Sequence, residues 1–434
     1  MKKRTRRQKA IIRRNIFFTV CALCLIGIIA LISFAATAIF KPHDKPDNSN
    51  SSAQSSVVSS SEPEKVPDTY ATVLSIGDIM VHQPQLTGAK TSSGYDFSDF
   101  FKKTKKYYKK ADLTVGNLEL TMGGTESGEY KGYPAFNTPD QIADAIKKSG
   151  INMLMTSNNH SYDTGFVGLK RTARVLKEKG IEFTGTKETL DDPSYIVKEV
   201  NGIKIGIVNF TYETQGSDSS RKYINGAVIK EEANDYINSF SYKYIDKFYT
   251  QAQSVIDSMK EDGAEFITFY MHWGEEYQLS ANTWQKSIAQ KLCDMGVDII
   301  IGGHPHVVQP VELIHAEGSD HTTVCIYSLG NAVSNQRREL ISSSPRGHTE
   351  DGVMFSYTLK KSDGAVTLES IDVIPTWVYK YTNGGYKYTI YPIDGTNYSN
   401  VQGRLKESLS RTKAIVEKGL TECQEYLGCD ITFD

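Results

Sequence analysis

Residues 301–312 have the sequence Ile-Gly-Gly-His-Pro-His-Val-Val-Gln-Pro-Val-Glu. The apolar run Val297–Ile301 predicts a buried strand, which the glycine pair that follows it should end. Because an X-Pro step favours an extended backbone, Pro305 should hold the loop open between His304 and His306. Two imidazoles at the carboxyl end of a strand are placed to bind a metal ion. Two surface histidines in a loop explain this stretch equally well, so the rest of the chain has to decide.

The overall composition is that of a globular protein with an uneven distribution of charge. The chain has 434 residues, of which 39% are hydrophobic and 23% are charged, enough for two or three domains. Residues 1–14 hold eight Lys or Arg and no acid, and the remaining residues hold 41 basic and 51 acidic side chains. This acidic remainder argues against nucleic acid as a partner.

A charge-free segment follows the basic N-terminus. Residues 16–40 contain no charged side chain and exceed the ~20 residues that cross a bilayer. We therefore predict a basic cytoplasmic tail (1–15), a single transmembrane anchor (16–40) and an extracellular C-terminal part at the cell membrane. A cleaved signal peptide is the alternative, with a weak small-x-small site at Ala36-Thr37-Ala38. Residues 41–69 are rich in Ser, Pro, Asp and Asn and predict a disordered tether.

From Tyr70 onward the pattern alternates strand, loop and helix, which predicts a layered α/β domain with a β-rich second half. The predicted strands are 71–76, 113–115, 151–155, 195–200, 203–210, 266–270, 297–301, 324–327, 354–359 and 366–373. The predicted helices are 141–148, 166–179, 244–260, 284–294 and a segment within 398–427. We expect the domain at 70–380, a surface insertion at 213–243 and a C-terminal extension at 381–434.

Five polar loops each follow an apolar strand. They are residues 77–82, 116–119, 157–165, 271–277 and the opening stretch. Since the carboxyl ends of strands in α/β sheets gather along one edge, their side chains should converge there. The candidate residues are Asp78, Glu119, Asn159, His160, His272, His304 and His306. Carboxylate, amide and imidazole groups together suit a divalent ion such as Mn, Fe or Zn.

The motifs of these loops resemble those of a known family. They are Gly77–Met80, Asn117–Glu119, Asn159–Gly165, His272–Tyr277, Gly303–Gln309 and Ser328–Asn331. Together they are similar to the signature blocks of the CapA-type capsule synthesis family, which is associated with poly-gamma-glutamate and belongs to the calcineurin-like metallophosphoesterase superfamily. The resemblance runs from about Tyr70 to Ile374. It implies a four-layer α/β/β/α metallophosphoesterase-like sandwich with a two-metal site.

The resemblance also implies a role for each candidate residue. Asp78 and His306 would bind the first ion, and Asn159, His272 and His304 the second. His160 would protonate the leaving group, with Asp163 available to orient it.

The chain departs from the superfamily pattern at two positions. Met80 stands where a His ligand is expected, and His82 lies only two residues further on. Asn117 stands near the position of the bridging carboxylate, for which Glu119 is the nearest candidate. The sequence is therefore compatible with one bound ion or with two.

Two functions follow from these residues. The first is a metal-dependent phosphoesterase-like hydrolase in capsule or envelope polymer metabolism, in which Arg337 and Arg338 could help to hold a phosphate. For this arginine pair a solvated charged loop is the commoner role. The second function is a non-enzymatic subunit that binds the anionic polymer or its membrane-embedded synthase. The resemblance implies capsule synthase subunits as partners and leaves the substrate unnamed.

Overall fold

The computed structural model describes residues 67–218 and 220–433. The predicted cytoplasmic tail, the predicted anchor and residues 41–66 of the predicted tether lie outside these residues. In the described part of the chain, no helix combines the length and the apolar character needed to cross a membrane.

The described residues form twenty strands and seven α-helices. The strands are β1 (Thr69–Ile79), β2 (Lys90–Thr91), β3 (Gly94–Tyr95), β4 (Leu113–Leu118), β5 (Met153–Met155), β6 (Glu182–Thr184), β7 (Tyr195–Val200), β8 (Ile203–Tyr212), β9 (Tyr223–Ile224), β10 (Ala227–Val228), β11 (Ser239–Phe240), β12 (Phe266–His272), β13 (Ile299–Gly303), β14 (Val311–His315), β15 (Thr322–Ile326), β16 (Asn331–Val333), β17 (Asp351–Ser362), β18 (Ala365–Thr382), β19 (Tyr386–Pro392) and β20 (Asp430–Phe433). The helices are α1 (Gln83–Ala89), α2 (Lys105–Tyr108), α3 (Gln141–Ser149), α4 (Gly165–Lys179), α5 (Ile245–Glu261), α6 (Thr283–Asp294) and α7 (Gln402–Leu427).

Two large sheets organise these elements. The first has nine strands in the order β19-β18-β17-β1-β4-β5-β6, with β16 paired to β1 and β20 paired to β18. The second has seven strands in the order β11-β8-β12-β13-β15-β14, with β7 paired to β8. β1, β4, β5 and β6 run parallel in the first sheet, as do β8, β12, β13 and β15 in the second. The carboxyl ends of parallel strands in each sheet therefore share one edge.

Three apolar clusters define the layers. The cluster between the sheets includes Val73 of β1 and Ile205 of β8. The outer face of the first sheet, which includes Leu74, packs against α3 and α4. The outer face of the second sheet packs against α5 and α6. Val73 and Leu74 belong to different clusters because successive side chains of a strand point to opposite faces. The predicted mixed α/β class is confirmed, with helices outside two facing sheets.

Local sequence signals explain where the helices begin and end. In α4, Leu169, Ala173 and Leu176 are buried, at the spacing of one helical face. The helix ends at Gly180, whose φ of 61° is easily adopted by glycine. Helix α6 begins after Asn282, whose side chain accepts a hydrogen bond from the backbone N–H of Gln285, as good N-cap residues do.

The C-terminal segment is joined to the same layers. The predicted boundary between residues 380 and 381 falls inside β18, and β19 and β20 extend the first sheet. Helix α7 adds Val416, Leu420 and Cys423 to the cluster between the sheets. The described residues accordingly belong to one compact unit. Within the predicted insertion 213–243, Ile224, Ile229 and neighbouring residues pack against α4.

Helix α7 approaches β14 so closely that one position has no room for a side chain. A Cβ atom at Gly419 would lie 1.8 Å from the carbonyl oxygen of Val311, whereas a Cβ at Gly403 of the same helix would meet no atom within 4 Å. We expect Gly419→Ala to displace the helix and to lower the free energy of unfolding by about 1–3 kcal/mol. Gly403→Ala is the control and should be neutral or stabilise by up to about 1 kcal/mol. Thermal unfolding of the full-length protein in detergent measures both, and equal midpoints for the two variants would contradict this packing.

Candidate metal centre

The predicted site lies where the carboxyl ends of both sets of parallel strands meet. In the first sheet, Asp78 near the end of β1 is level with Asn117 of β4. In the second sheet, His272 at the end of β12 is level with Gly303 of β13. The remaining candidates follow these strand ends directly. They are Glu119 after β4, Asn159 and His160 after β5, and His304 and His306 after β13.

Two glycines allow close packing here, Gly302 within the second sheet and Gly303 against Asp78 of the first sheet. A Cβ at Gly302 would lie 1.8 Å from the carbonyl oxygen of Tyr327, and a Cβ at Gly303 would lie 2.8 Å from Asp78 Oδ1. Both glycines belong to β13, which ends at Gly303. The strand therefore continues two residues beyond the predicted end at Ile301 and ends at the second glycine. Gly303 brings the backbone of β13 against the Asp78 carboxylate, and Gly302 brings it against the carbonyl of Tyr327.

The loop after β13 is not extended. His304 has φ 95° and His306 has φ 57°, whereas a residue before proline was expected to be extended. Positive φ in residues with a Cβ costs of order 1–3 kcal/mol each and is concentrated at functional sites. The backbone N–H of His304 donates to Asp78 Oδ2 at 3.3 Å. The loop is therefore folded back onto Asp78, which turns both imidazoles towards the strand ends.

Glu119 stands at the centre of the cluster. One group of potential metal ligands consists of Glu119, His272 and His304, and another of Asp78, Glu119 and His306; the ligand atoms of each group lie within 4.8 Å of one another. Glu119 is fully buried, and among the described residues neither of its carboxylate oxygens has a hydrogen-bond partner. Burial, followed by the charge of Asp78, raises the pKa of this carboxyl well above its usual range. Since Glu119 belongs to both groups, it occupies the position that a bridging carboxylate requires.

The imidazoles of the first group are suited to donate lone pairs. Burial, and next the neighbouring histidines, lower the pKa of His272 and of His304 well below the usual range. Both rings are therefore neutral at physiological pH, the form that binds metal ions. Nδ1 of His304 is buried and has no hydrogen-bond partner in the part of the chain that the structure describes. Buried polar atoms are normally paired. A bound cation would supply the partner that this nitrogen and the Glu119 oxygens lack, so the residues present fit a metal ion.

Hydrogen bonds orient the remaining ligands. His306 Nδ1 lies 3.1 Å from Asp78 Oδ2 and 3.2 Å from Asn331 Oδ1, so its Nε2 is directed to Glu119 Oε1 at 3.7 Å. His272 Nε2 lies 2.8 Å from Asn159 Oδ1. All six predicted ligands are thus brought together, and their role as ligands remains a prediction.

His160 forms a pair with Asp163 beside the two ligand groups. Its Nδ1 lies 2.7 Å from Asp163 Oδ2, and the same oxygen accepts a hydrogen bond from the backbone N–H of Phe136 at 2.6 Å. The Phe136 ring packs edge-on against the imidazole with 4.7 Å between centroids. Because Nδ1 is engaged, Nε2 is the nitrogen left for proton transfer. This geometry suits the roles predicted for His160 and Asp163.

The two departures from the superfamily pattern have different outcomes. Met80 is buried in the apolar cluster on the outer face of the first sheet. His82 accepts a hydrogen bond from the backbone N–H of Asn335, burial lowers its pKa to about 3, and it belongs to neither ligand group. It does not replace the missing ligand. Asn117 donates to Asp78 Oδ1 at 2.7 Å and so orients a ligand, while Glu119 supplies the central carboxylate.

Two residues of the site have roles that were not predicted. The hydroxyl of Tyr212 lies 3.1 Å from His304 Nε2, and Asn331 fixes His306. Tyr212 ends a parallel strand, so the rule that located the other candidates would have found it. Asn331 belongs to the motif 328–331, which had no assigned role, and no local signal relates it to His306.

The arginine pair is neither solvated nor part of the metal centre. The side chains of Arg337 and Arg338 are 8% and 10% exposed, and both form ion pairs with the buried carboxylate of Glu350. The suggestion that this pair holds a phosphate at the metal centre is therefore wrong. The two guanidinium groups compensate Glu350, whose pKa they help to lower against the opposing effect of burial.

A substitution at Glu119 tests the shared carboxylate. Glu119→Gln keeps the shape of the side chain and removes the charge that both ligand groups share. Wild-type protein should be stabilised by about 2.7 kcal/mol when Mn²⁺ or Zn²⁺ is present at a hundredfold excess over its dissociation constant. The variant should lose this increase in thermal stability, while the exposed control Glu129→Gln should keep it. Metal-dependent stabilisation of the Glu119 variant equal to that of the wild type would contradict the assignment.

Comparison with known proteins identifies relatives of the chain. Capsule biosynthesis protein CapA of Bacillus anthracis is 26% identical over 310 residues, which cover 70% of this chain and 66% of that protein, just under two thirds of its length. PGA biosynthesis protein CapA of Bacillus subtilis (strain 168) is 26% identical over 304 residues, which cover 69% of this chain and 70% of that protein. A crystal structure of the calcineurin-like phosphoesterase YfkN from Bacillus subtilis aligns with a TM-score of 0.35 and 16% identity, over 83% of this chain and 100% of that one. This score is too low to support an argument about the fold.

The family model gives the decisive match. Residues 72–336 match the model described as Bacterial capsule synthesis protein PGA_cap. The match covers more than half of the chain and contains all the candidate ligands, together with His160 and Asp163. It confirms the family to which the motifs pointed. This chain belongs to the PGA_cap family of bacterial capsule synthesis proteins.

Proposed function

We propose that this protein acts in the synthesis or export of poly-gamma-glutamate or a related envelope polymer, and that its metal centre hydrolyses a phosphoester. Family membership supports the first part, because the names of both relatives refer to capsule or PGA biosynthesis. One observation carries the second part. The buried Glu119 belongs to two groups of potential ligands, and the His160–Asp163 pair lies beside them.

The donor set indicates the class of metal. Asp78 and Glu119 offer carboxylate oxygens, Asn159 an amide oxygen, and His272, His304 and His306 imidazole nitrogens. Mixed oxygen and nitrogen ligands suit Mn, Fe or Zn. Such ions would supply Lewis-acid stabilisation of the charge on a phosphoryl group. We propose two ions that share Glu119.

The residues of the chain itself perform the remaining steps. Asp163 holds His160 Nδ1, so the ring presents Nε2 to the substrate. A water molecule attacks phosphorus and forms a new P–O bond while the bond to the leaving oxygen breaks, and His160 donates a proton from Nε2 to that oxygen. The proton released by the water passes to solvent, from which His160 is reprotonated. Asp163 acts through His160 and is a positioning residue. Asn331 and Asn117 keep His306 and Asp78 in place, as conserved hydrogen-bond partners of ligands do in other metal sites.

We further propose that residues 16–40 anchor the protein in the cell membrane and that the domain lies outside the cell. The support is the charge-free run after a basic flank. This position would place the domain beside membrane-embedded capsule synthase subunits, the partners expected for the family.

A non-enzymatic function is the second candidate. In it the chain is an accessory subunit that binds the polymer or its synthase. The observation in its favour is Met80, a buried apolar residue where a His ligand was expected. Metal binding without hydrolysis of any phosphoester would favour this candidate.

Two histidine substitutions separate metal binding from catalysis. His304→Ala should lose bound metal and, with it, hydrolysis of the generic phosphodiester bis(p-nitrophenyl) phosphate. His160→Ala should keep the metal and lose roughly 10²- to 10⁴-fold in rate, the contribution of general acid catalysis. Elemental analysis and initial rates of the full-length protein measure both effects, and the exposed His315→Ala is the control. Wild-type hydrolysis by His160→Ala would exclude the proposed proton donor.

The orientation in the membrane has its own test. Protease added to intact protoplasts should digest the domain and spare the N-terminal tail, because the anchor places them on opposite sides of the membrane. Lysed protoplasts, in which the tail is also exposed, are the control. Protection of the domain in intact protoplasts would contradict the extracellular location.

A further inference from the structure

A second site lies away from the strand ends, between helix α7 and the loop 334–347. It is an open groove with a volume of about 650 Å³. We call it the cationic groove. The charged residues that line it are Arg338, Arg346, Arg404, Lys406, Glu407 and Arg411. Five of these six are cationic, in a chain whose residues after position 14 hold 41 basic and 51 acidic side chains. The groove is therefore a local exception to the charge of the domain.

Two of its arginines are held rigidly by buried acids. Arg338 donates to both carboxylate oxygens of Glu350 at 3.0–3.2 Å. Arg411 donates to both oxygens of Asp351 at 2.6 and 2.7 Å. The side chains of these two arginines are 10% and 16% exposed. Because they are already ordered, a ligand that binds them does not have to meet the entropic cost of fixing them.

The groove already holds one carboxylate, that of Glu407. Its Oε2 lies 3.0 Å from Arg404 Nη1, 3.2 Å from Arg338 Nη1 and 3.9 Å from Arg411 Nη1. The side chain of Glu407 is 50% exposed, so this carboxylate lies at the mouth of the groove. Three guanidinium groups around one carboxylate indicate which anion fits, since the planar fork of Arg matches carboxylate geometry.

Two further cations are free to bind a ligand. Arg346 and Lys406 are exposed, and neither takes part in an ion pair or side-chain hydrogen bond with the residues that the structure describes. Lys406 lies in the first turns of α7, where the helix dipole also favours anions. The groove thus combines one occupied carboxylate position with unpaired cations beside it. A single small anion would not contact all of these cationic side chains at once.

We propose that the cationic groove binds an extended polymer with regularly spaced carboxylates. Successive carboxylates would contact Arg346, Lys406 and the free donors of Arg404, and one of them would compete with Glu407 for its arginines. The inference rests on the proposed function for the origin of the polymer, but it does not depend on the metal centre. The loop 334–347 follows β16, whose Asn331 contacts His306, so one segment of the chain joins the two sites.

Charge reversal in the groove tests the proposal. The probe is fluorescently labelled linear poly-glutamate, with binding to full-length protein in detergent followed by fluorescence anisotropy. Arg346→Glu combined with Lys406→Glu should raise the dissociation constant roughly tenfold to a hundredfold. The control is Lys413→Glu combined with Lys418→Glu, the same charge change on α7 at two exposed lysines outside the groove. Equal weakening by both pairs would overturn the proposal, because binding would then follow only the net charge.

A substitution that removes negative charge from the groove should have the opposite effect on binding. Glu407→Gln removes the resident carboxylate and frees donors of its arginines, so poly-glutamate should bind several-fold more tightly. Unchanged or weaker binding by this variant would overturn the proposal. Polyphosphate that binds as tightly as poly-glutamate and is lost with the same pair of substitutions would overturn the assignment to carboxylates. Metal content should be unaffected by the groove variants, so failure here is distinguishable from failure of the metal centre.

Discussion

The parallel strands of both sheets end around one buried carboxylate, that of Glu119, which has no hydrogen-bond partner among the residues that the structure describes. A buried carboxylate without a partner is unfavourable by several kcal/mol, and Asp78 increases that cost through charge repulsion. The neighbouring backbone is also in an unfavourable conformation, because His304 and His306 have positive φ angles. Gly303 in addition allows the backbone to approach the Asp78 carboxylate. These unfavourable terms persist because the apolar clusters on both sides of each sheet hold the strand ends in place. A divalent cation would offset several of them at once.

The same architecture separates two kinds of anion recognition. At the strand ends the protein presents its own carboxylates, so an anionic substrate would approach only when cations are bound there. At helix α7 the protein presents guanidinium groups, which buried Glu350 and Asp351 hold in fixed positions. An acidic domain of this kind repels a polyanion over most of its surface and attracts it at the cationic groove. The loop 334–347 connects the two regions, so the proposed polymer site and the candidate metal centre are joined by one segment of the chain.

Much of the fold follows from periodicity that is local in the sequence. The strands predicted at 195–200 and 203–210 and the helix predicted at 166–179 agree with β7, β8 and α4 because each is determined by residues within one element. The convergence of the six predicted ligands also follows, since it needs only the rule that parallel strands end at one edge. The α/β class follows from the same periodicity, whereas the family was predicted from the resemblance of the loop motifs.

Features that depend on contacts between distant segments were not predictable. Gly302 and Gly303 interrupt an apolar run, yet they lie inside β13 because another backbone and a carboxylate pack against them. Asn331 is 25 residues from His306 in sequence, and the role of the pair depends on how β16 pairs with β1. The sequence around Arg338 is typical of a charged surface loop, and its ion pairs with the distant Glu350 and Glu407 arise only in the folded chain.

The measurement that tests the central claim most directly is the location of bound metal. Crystals of the full-length protein grown with Mn²⁺ would be measured near the manganese absorption edge, and an anomalous difference map would be calculated. We expect two peaks, one beside Glu119, His272 and His304 and the other beside Glu119, Asp78 and His306. A map with no peak at Glu119, or with manganese bound only elsewhere, would contradict this expectation.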